Sequence, residues 1–236
     1  MSRSSNISPG EVQVWVGSLA AGDNRMRELS ALLSADEKER VRRLPEDRAR
    51  RYTVGRGVLR RLLADFTGEK PRAFTFEYND SGKPFLPEGG IEFNISHSTD
   101  LVLYAFSADR PVGVDVERLR PVRRLLDVAL RFMTENDVRR LEAAPPSERD
   151  EMFLRSWVVR EARLKAEGEG IWSRLAANSG LPEREPNNAE EELPGSDGSK
   201  DLSHKLFAPR KGFIAAVAAS GMDWKLLTCA LSEPKE

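Results

Sequence analysis

One cysteine and two histidines in 236 residues leave little material for soft-metal chemistry. Cys229 alone cannot close an internal disulfide, and with only His97 and His204 beside it no zinc-type cluster can be assembled. Any metal would therefore be held by oxygen. Long apolar runs are missing as well: none approaches the roughly 20 residues of a membrane span, and Met1 to Gly10 lacks the apolar stretch of a signal peptide. These absences predict a soluble, cytoplasmic chain with no membrane partner. Nor is one sign of charge in excess, since 37 basic and 38 acidic residues give a formal −1, which argues against a protein built mainly to coat nucleic acid. No Walker-type glycine loop and no internal repeat is visible.

What is present alternates between short strands and charged helices. Glu11 to Gly17 (EVQVWVG) has the period-two pattern of a strand. Met26 to Leu33 suggests a helix, and Ser34 with Glu37 three residues on is a capping box that opens another. From Lys38 to Arg61 the chain is strongly basic, and Pro45 divides it, so that a second helix runs from about Glu46 to Phe66 with Tyr52, Leu59, Leu62 and Leu63 available to be buried and Gly68 as its stop. This hairpin has three readings: a solvated helical face, a nucleic-acid patch, or a holder for a compact phosphate ligand. Little aromatic interleaving weakens the second. Phe74 to Tyr78 reads as a strand, and Asn79-Asp80-Ser81-Gly82 is turn chemistry. Pro84 holds the preceding Lys83 extended at a loop edge, where its ammonium could reach a phosphate. Ile91 to Ser98 (IEFNISHS) and Leu101 to Ser107 (LVLYAFS) are further strands.

The most informative stretch is Val112-Gly113-Val114-Asp115-Val116-Glu117. On a strand, Asp115 and Glu117 share one face while Val114 and Val116 take the other. Like charges so placed repel, and a hard divalent cation such as Mg2+ is the usual remedy, although two outward acids on a half-solvated strand would show the same pattern. Helices follow at Val122 to Phe132 and Thr134 to Leu141. A longer one, about Arg149 to Glu167, is stopped by Gly168. On it Trp157, Glu161 and Lys165 step along one line. Glu161 and Lys165 could be a surface ion pair, or Glu161 could complete the acid cluster.

Leu181 to His204 is polar and acidic without apolar periodicity and reads as a mobile loop. Gly212 to Ser220 and Trp224 to Leu231, separated by Gly221-Met222-Asp223, read as an antiparallel hairpin.

Three segments together, FNISHS at Phe93 to Ser98, GVDVE at Gly113 to Glu117 and WVVREARLKAEGEG at Trp157 to Gly170, resemble the signature segments of the larger 4′-phosphopantetheinyl transferases, the surfactin-synthetase type. Gly82-Lys83-Pro84 fits the same pattern, and the likeness runs from the basic hairpin to Gly170. Arg160 departs from it, standing where the family usually has lysine.

The resemblance implies an α+β fold of two similar lobes, each with a small, mainly antiparallel sheet and packed helices: 1–112 for contacts to coenzyme A and 113–236 for the metal-binding acids. It implies transfer of the phosphopantetheine arm of coenzyme A to a serine of an acyl, peptidyl or aryl carrier protein, with release of adenosine 3′,5′-bisphosphate. By the same resemblance, Asp115, Glu117 and Glu161 bind Mg2+, with Mn2+ as the alternative ion. Glu161 also matches the base for the serine, and Lys165 matches the lysine at the pyrophosphate. Ser96, His97 and Lys83 match groups around the 3′-phosphate and adenosine, Arg40 and Lys38 match basic phosphate contacts, and Arg51 matches a position near the adenine. A monomer would suffice. The rival readings are a different Mg2+-dependent phosphotransferase and a non-catalytic module for a phosphate ligand or nucleic acid.

Overall fold

The structure is a computed structural model that describes residues 7–169 and 201–231. The chain opens with strand β1 (Glu11–Ser18), then helices α1 (Asp23–Leu32), α2 (Ala35–Arg43) and α3 (Glu46–Thr67). Pro45 sits at the N-cap of α3, and Gly68 ends it in the left-handed conformation. Ser34 N donates to Glu37 Oε2 at 3.0 Å, half of the expected capping box. Next come β2 (Glu77–Tyr78), β3 (Pro84–Phe85), β4 (Glu92–Ser98), β5 (Leu101–Ser107) and β6 (Val112–Arg118). Helices α4 (Leu125–Phe132), α5 (Glu135–Ala143) and α6 (Pro146–Glu167) follow, and β7 (Leu202–Phe207), β8 (Phe213–Ser220) and β9 (Lys225–Ala230) complete the order.

Two sheets face each other. The first has strand order β4-β5-β1-β9 and the second β6-β8-β7, with β2 and β3 forming a separate two-stranded piece. Val12, Val14, Leu103 and Ala105 of the first sheet pack on Val112, Val114, Val116, Ala215 and Val217 of the second. This apolar layer is the natural product of period-two strands placed face to face. The other face of the first sheet, with Phe93, Tyr104 and Phe106, is covered by α1 and α3 through Leu29, Leu59 and Leu63. The other face of the second, with Ile214, Ala216 and Ala218, is covered by α6 through Phe153, Val158 and Ala162. Among the described residues no helix is long and apolar enough to cross a membrane.

Three sequence expectations are corrected. The segments 212–220 and 224–231 do not form a hairpin: β8 lies between β6 and β7, so both its edges are already paired, and β9 crosses to the first sheet to run parallel to β1. Trp224 anchors the crossing, with its Nε1 donating to Ser203 Oγ at 2.7 Å. Part of the expected loop 181–204 is strand, since Leu202 to His204 begin β7, and residues 181–200 lie outside the described residues. β7 is an edge strand whose two faces each mix polar and apolar residues, Leu202, His204 and Leu206 on one and Ser203, Lys205 and Phe207 on the other, so no apolar period of two marks it in the sequence. The strand expected at 74–78 is regular only at Glu77–Tyr78.

Candidate active site

β4 and β6 are edge strands of different sheets, and they are joined by side chains rather than by a backbone ladder. Asn94, Ser96 and Ser98 alternate onto the face of β4 turned toward β6. Asn94 Oδ1 accepts from Val114 N at 2.9 Å, and Ser96 Oγ donates to Asp115 Oδ1 at 2.8 Å. Ser98 Oγ donates to Glu117 Oε2 at 3.1 Å and accepts from Arg118 N at 3.1 Å. Sequence reasoning does not single out Asn94 and Ser98. Their signal is three small polar residues at period two, masked by Ile95 and His97 between them.

α6 supplies the rest. Gly113 lets the helix backbone approach β6 directly: a Cβ there would collide with Ala162 O and Ala166 N. That close contact brings Lys165 Nζ to 2.6 Å from Asp115 Oδ1, with Ser96 Oγ at 3.4 Å and Val114 O at 3.3 Å. One turn earlier lies half-buried Glu161. Burial raises its pKa, and the Asp115 and Glu117 carboxylates add to the rise against the pull of Lys165. Burial, then repulsion from Asp115, likewise pushes Glu117 up, while Ser98, Arg120 and Lys165 oppose it. Asp115, Glu117, Glu161, Lys165 and Ser96 thus form one electrostatically coupled group. Its three acids share Lys165 as the cation within the cluster, with Arg120 acting on Glu117 and Arg160 on Glu161 from its margin. Among the described residues, no three acid, histidine or cysteine side chains gather closely enough to hold a metal as they stand.

The basic residues are arranged differently from their appearance in the sequence. Arg56 and Arg60 turn inward to buried Glu37, while Arg42 and Arg43 pair with Glu39, Arg50 with Asp23 and Arg61 with Glu28. The charge run is therefore largely consumed within the fold. Arg40 is exposed, with its guanidinium 4.9 Å above the Tyr52 ring, and Lys38 is half-buried on the same helix. Arg51 bonds Thr99 O and borders a cleft of about 620 Å³ that also carries Asp100, Arg118, Arg210 and Lys211. His97 is exposed on the opposite face of β4 from Ser96, in register with Val102 and toward α3. Lys83 does not project freely from its loop: its Nζ donates to Lys165 O at 2.7 Å and Val112 O at 3.0 Å. The structure thus brings the acids, Lys165 and Ser96 together, sets Lys38, Arg40, Arg51 and His97 on the α2–α3 side, and binds Lys83 to the end of α6.

The model of the 4′-phosphopantetheinyl transferase superfamily matches residues 111–218, and that of the 4′-phosphopantetheinyl transferase N-terminal region matches residues 21–109. The 4′-phosphopantetheinyl transferase HetI of Nostoc sp. (strain PCC 7120 / SAG 25.82 / UTEX 2576) is 35% identical over 221 residues, 91% of this chain and 90% of that protein. The chain belongs to the 4′-phosphopantetheinyl transferase family. Two further transferases from Bacillus subtilis are similar over most of their length. The 4′-phosphopantetheinyl transferase ffp is 31% identical, covering 83% of this chain and 86% of its own. Sfp of strain 168 is 27% identical, covering 82% and 85%. As a phosphopantetheinyl transferase, the chain carries its acid cluster, Asp115, Glu117 and Glu161, wholly within the superfamily match, while Lys38, Arg40, Arg51, Lys83, Ser96 and His97 lie within the N-terminal match.

Proposed function

We propose that this transferase moves the 4′-phosphopantetheine arm of coenzyme A onto a serine hydroxyl of an apo acyl, peptidyl or aryl carrier protein, releasing adenosine 3′,5′-bisphosphate. The observation that carries the reading is the coupled cluster across β4, β6 and α6, three acids against one lysine with Ser96 between strand and helix. The donor set suits Mg2+, or Mn2+: all oxygen, excess negative charge, and two carboxyls, Glu117 and Glu161, pushed up by burial and by Asp115. Asp115, Glu117 and Glu161 would hold the ion, which when bound neutralises pyrophosphate charge and polarises the reacting phosphoryl group.

The chain's own residues account for the remaining tasks. Glu161, whose pKa burial raises, takes the proton of the incoming serine hydroxyl. The serine oxygen forms a bond to the pantetheine-bearing phosphorus as the bond to the bridging pyrophosphate oxygen breaks, and the departing bisphosphate gathers negative charge. Lys165 answers that charge, moving from Asp115 to the pyrophosphate once a ligand is bound. Ser96 orients Asp115 by its hydrogen bond. Lys38 and Arg40 serve as basic phosphate contacts, Arg51 lies near the adenine, and His97 lies by the 3′-phosphate and adenosine. Lys83 leaves that set, because its ammonium already serves two carbonyls. In this reading the site lies between two lobes, 1–112 and 113–236, with β9 returned to the first sheet. A cytoplasmic monomer carries all of it.

Intact-mass spectrometry of an apo carrier protein incubated with the chain, coenzyme A and Mg2+ tests the proposal. A gain of one phosphopantetheine arm on the carrier serine that disappears without metal and with Glu161→Ala is the expected result. No gain with acyl, peptidyl and aryl carriers alike would overturn it.

A further inference from the structure

The turn 79–83 is built to deliver a cation to one place. Asn79 Oδ1 accepts from Ser81 N at 3.1 Å and from Lys83 N at 2.9 Å, and Asn79 N donates to Lys83 O at 3.1 Å. Pro84 keeps the backbone of Lys83 extended. The tip thus closed, two side chains project from it to the end of α6. Asn79 Nδ2 donates to Gly168 O at 2.6 Å, and Lys83 Nζ to Lys165 O at 2.7 Å. The last carbonyls of a helix are its partial negative pole, and Lys165 O, which accepts only a long bond from Gly168 N at 3.3 Å, keeps a lone pair for an ammonium from elsewhere in the chain. The same ammonium also holds Val112 O, at the first residue of β6, at 3.0 Å.

Val112 and Lys165 flank the point where the helix lies on the strand without an intervening side chain. Gly113 offers no Cβ to key α6 in place along the strand direction, and its neighbours there are backbone atoms of Ala162, Lys165 and Ala166. Backbone on backbone is a smooth contact, and one ammonium hydrogen-bonded to both elements adds a directional tie to the apolar packing of α6 on the sheet. Lys165, whose carbonyl Lys83 grips, is the residue whose Nζ meets Asp115.

We infer that Lys83, held by Asn79, is a positioning residue: it staples the end of α6 to the start of β6 and so sets Lys165 and Glu161 against Asp115 and Glu117. This goes beyond the proposed transfer reaction and uses it for one of its two readouts. Lys83 has no contact with substrate in this role. Its loss therefore lowers turnover and leaves coenzyme A affinity nearly intact.

The experiment compares Lys83→Met, Lys83→Arg and Asn79→Ala with the unmodified chain. The first readout is kcat and KM for coenzyme A in carrier modification. The second is hydrogen exchange of the backbone amides from 165 to 169, which needs no catalysis. Lys83→Met should lower kcat by roughly 10- to 100-fold, as a small misplacement of reacting groups does, with KM changed less than about threefold. It should also speed exchange at the end of α6. Asn79→Ala, which removes no charge, should move both readouts in the same direction, and Lys83→Arg should restore much of each. A large rise in KM at unchanged kcat, or exchange at 165–169 unaltered in both Lys83→Met and Asn79→Ala, would overturn the staple. If the unmodified chain transfers nothing, the functional reading fails while the exchange measurement still decides this one.

Discussion

Glu37 with Arg56 and Arg60, between α2 and α3, and Asp115 with Glu117, Glu161 and Lys165, between β6 and α6, are both charge clusters withdrawn from solvent. In the first, Arg60 Nε donates to Glu37 Oε2 at 2.7 Å and its Nη1 to Pro71 O and Phe74 O at 2.8 and 3.0 Å. Arg56 lies 3.3 Å from Glu37 Oε1, reaches Tyr78 Oη at 2.8 Å and stacks 4.4 Å over the Phe76 ring. Each charge there faces an opposite charge or an aromatic ring supplied by the fold, although Glu37 Oε1 and Arg56 Nη1 make no hydrogen bond. In the second, acids outnumber the lysine, and Glu117 and Glu161 are pushed upward by burial and by Asp115. A buried cluster whose charges are answered serves the structure. One left in excess costs stability and is kept for a ligand that will answer it.

The contrast can be broken at either end. Glu161→Gln should cut carrier modification by about 10²–10⁴-fold, the usual worth of a general base, while thermal unfolding stays put or moves up, because a repelling buried charge has been removed. A clear fall in melting temperature would show that the acid serves the fold and erase the distinction. Arg60→Met should do the opposite, costing about 3–5 kcal/mol in chemical denaturation by leaving Glu37 buried without its best partner. Gly113→Ala tests the contact that joins cluster to helix: its methyl group would meet the backbone of α6, and a loss of about 1–3 kcal/mol with a drop in transfer is expected. The smallest effect concerns the exposed clasp where Arg210 donates twice to Asp100, which holds that carboxyl near a pKa of about 2 against an ordinary 3.8. A lowered folded pKa means stabilisation that is complete above the ordinary value and fades as pH falls from about 3.8 through about 2. Asp100→Asn should flatten that part of the stability curve by under about 1 kcal/mol, since both side chains are well exposed.

Much of the fold and of the acid cluster is legible in the amino-acid sequence. Pro45 and Gly68 bound α3, Thr134 caps α5 with Asp137, and Gly168 ends α6, because caps and breakers act through the nearest few residues. The alternation of Val114 and Val116 with Asp115 and Glu117 puts the acids on one face, and the structure keeps them there, turned to α6 and β4 and not to water. That they are half or wholly buried is not legible, since it depends on what covers the face. The basic run misleads: ten cations in sequence look like a ligand surface, yet most are answered by Glu28, Glu37, Glu39 and Asp23 one turn or one helix away.

Local pattern in the chain is thus enough for the helices, most strands, the family resemblance and the residues of the acid cluster. The partners are settled in three dimensions. β9 joins β1 because β8 has no free edge, β4 meets β6 through Asn94, Ser96 and Ser98, and Lys83 turns from the expected phosphate to the carbonyls of Lys165 and Val112. Periodicity reports which face a side chain occupies. Which edge or carbonyl stands opposite depends on packing between segments tens of residues apart, and no local pattern encodes that.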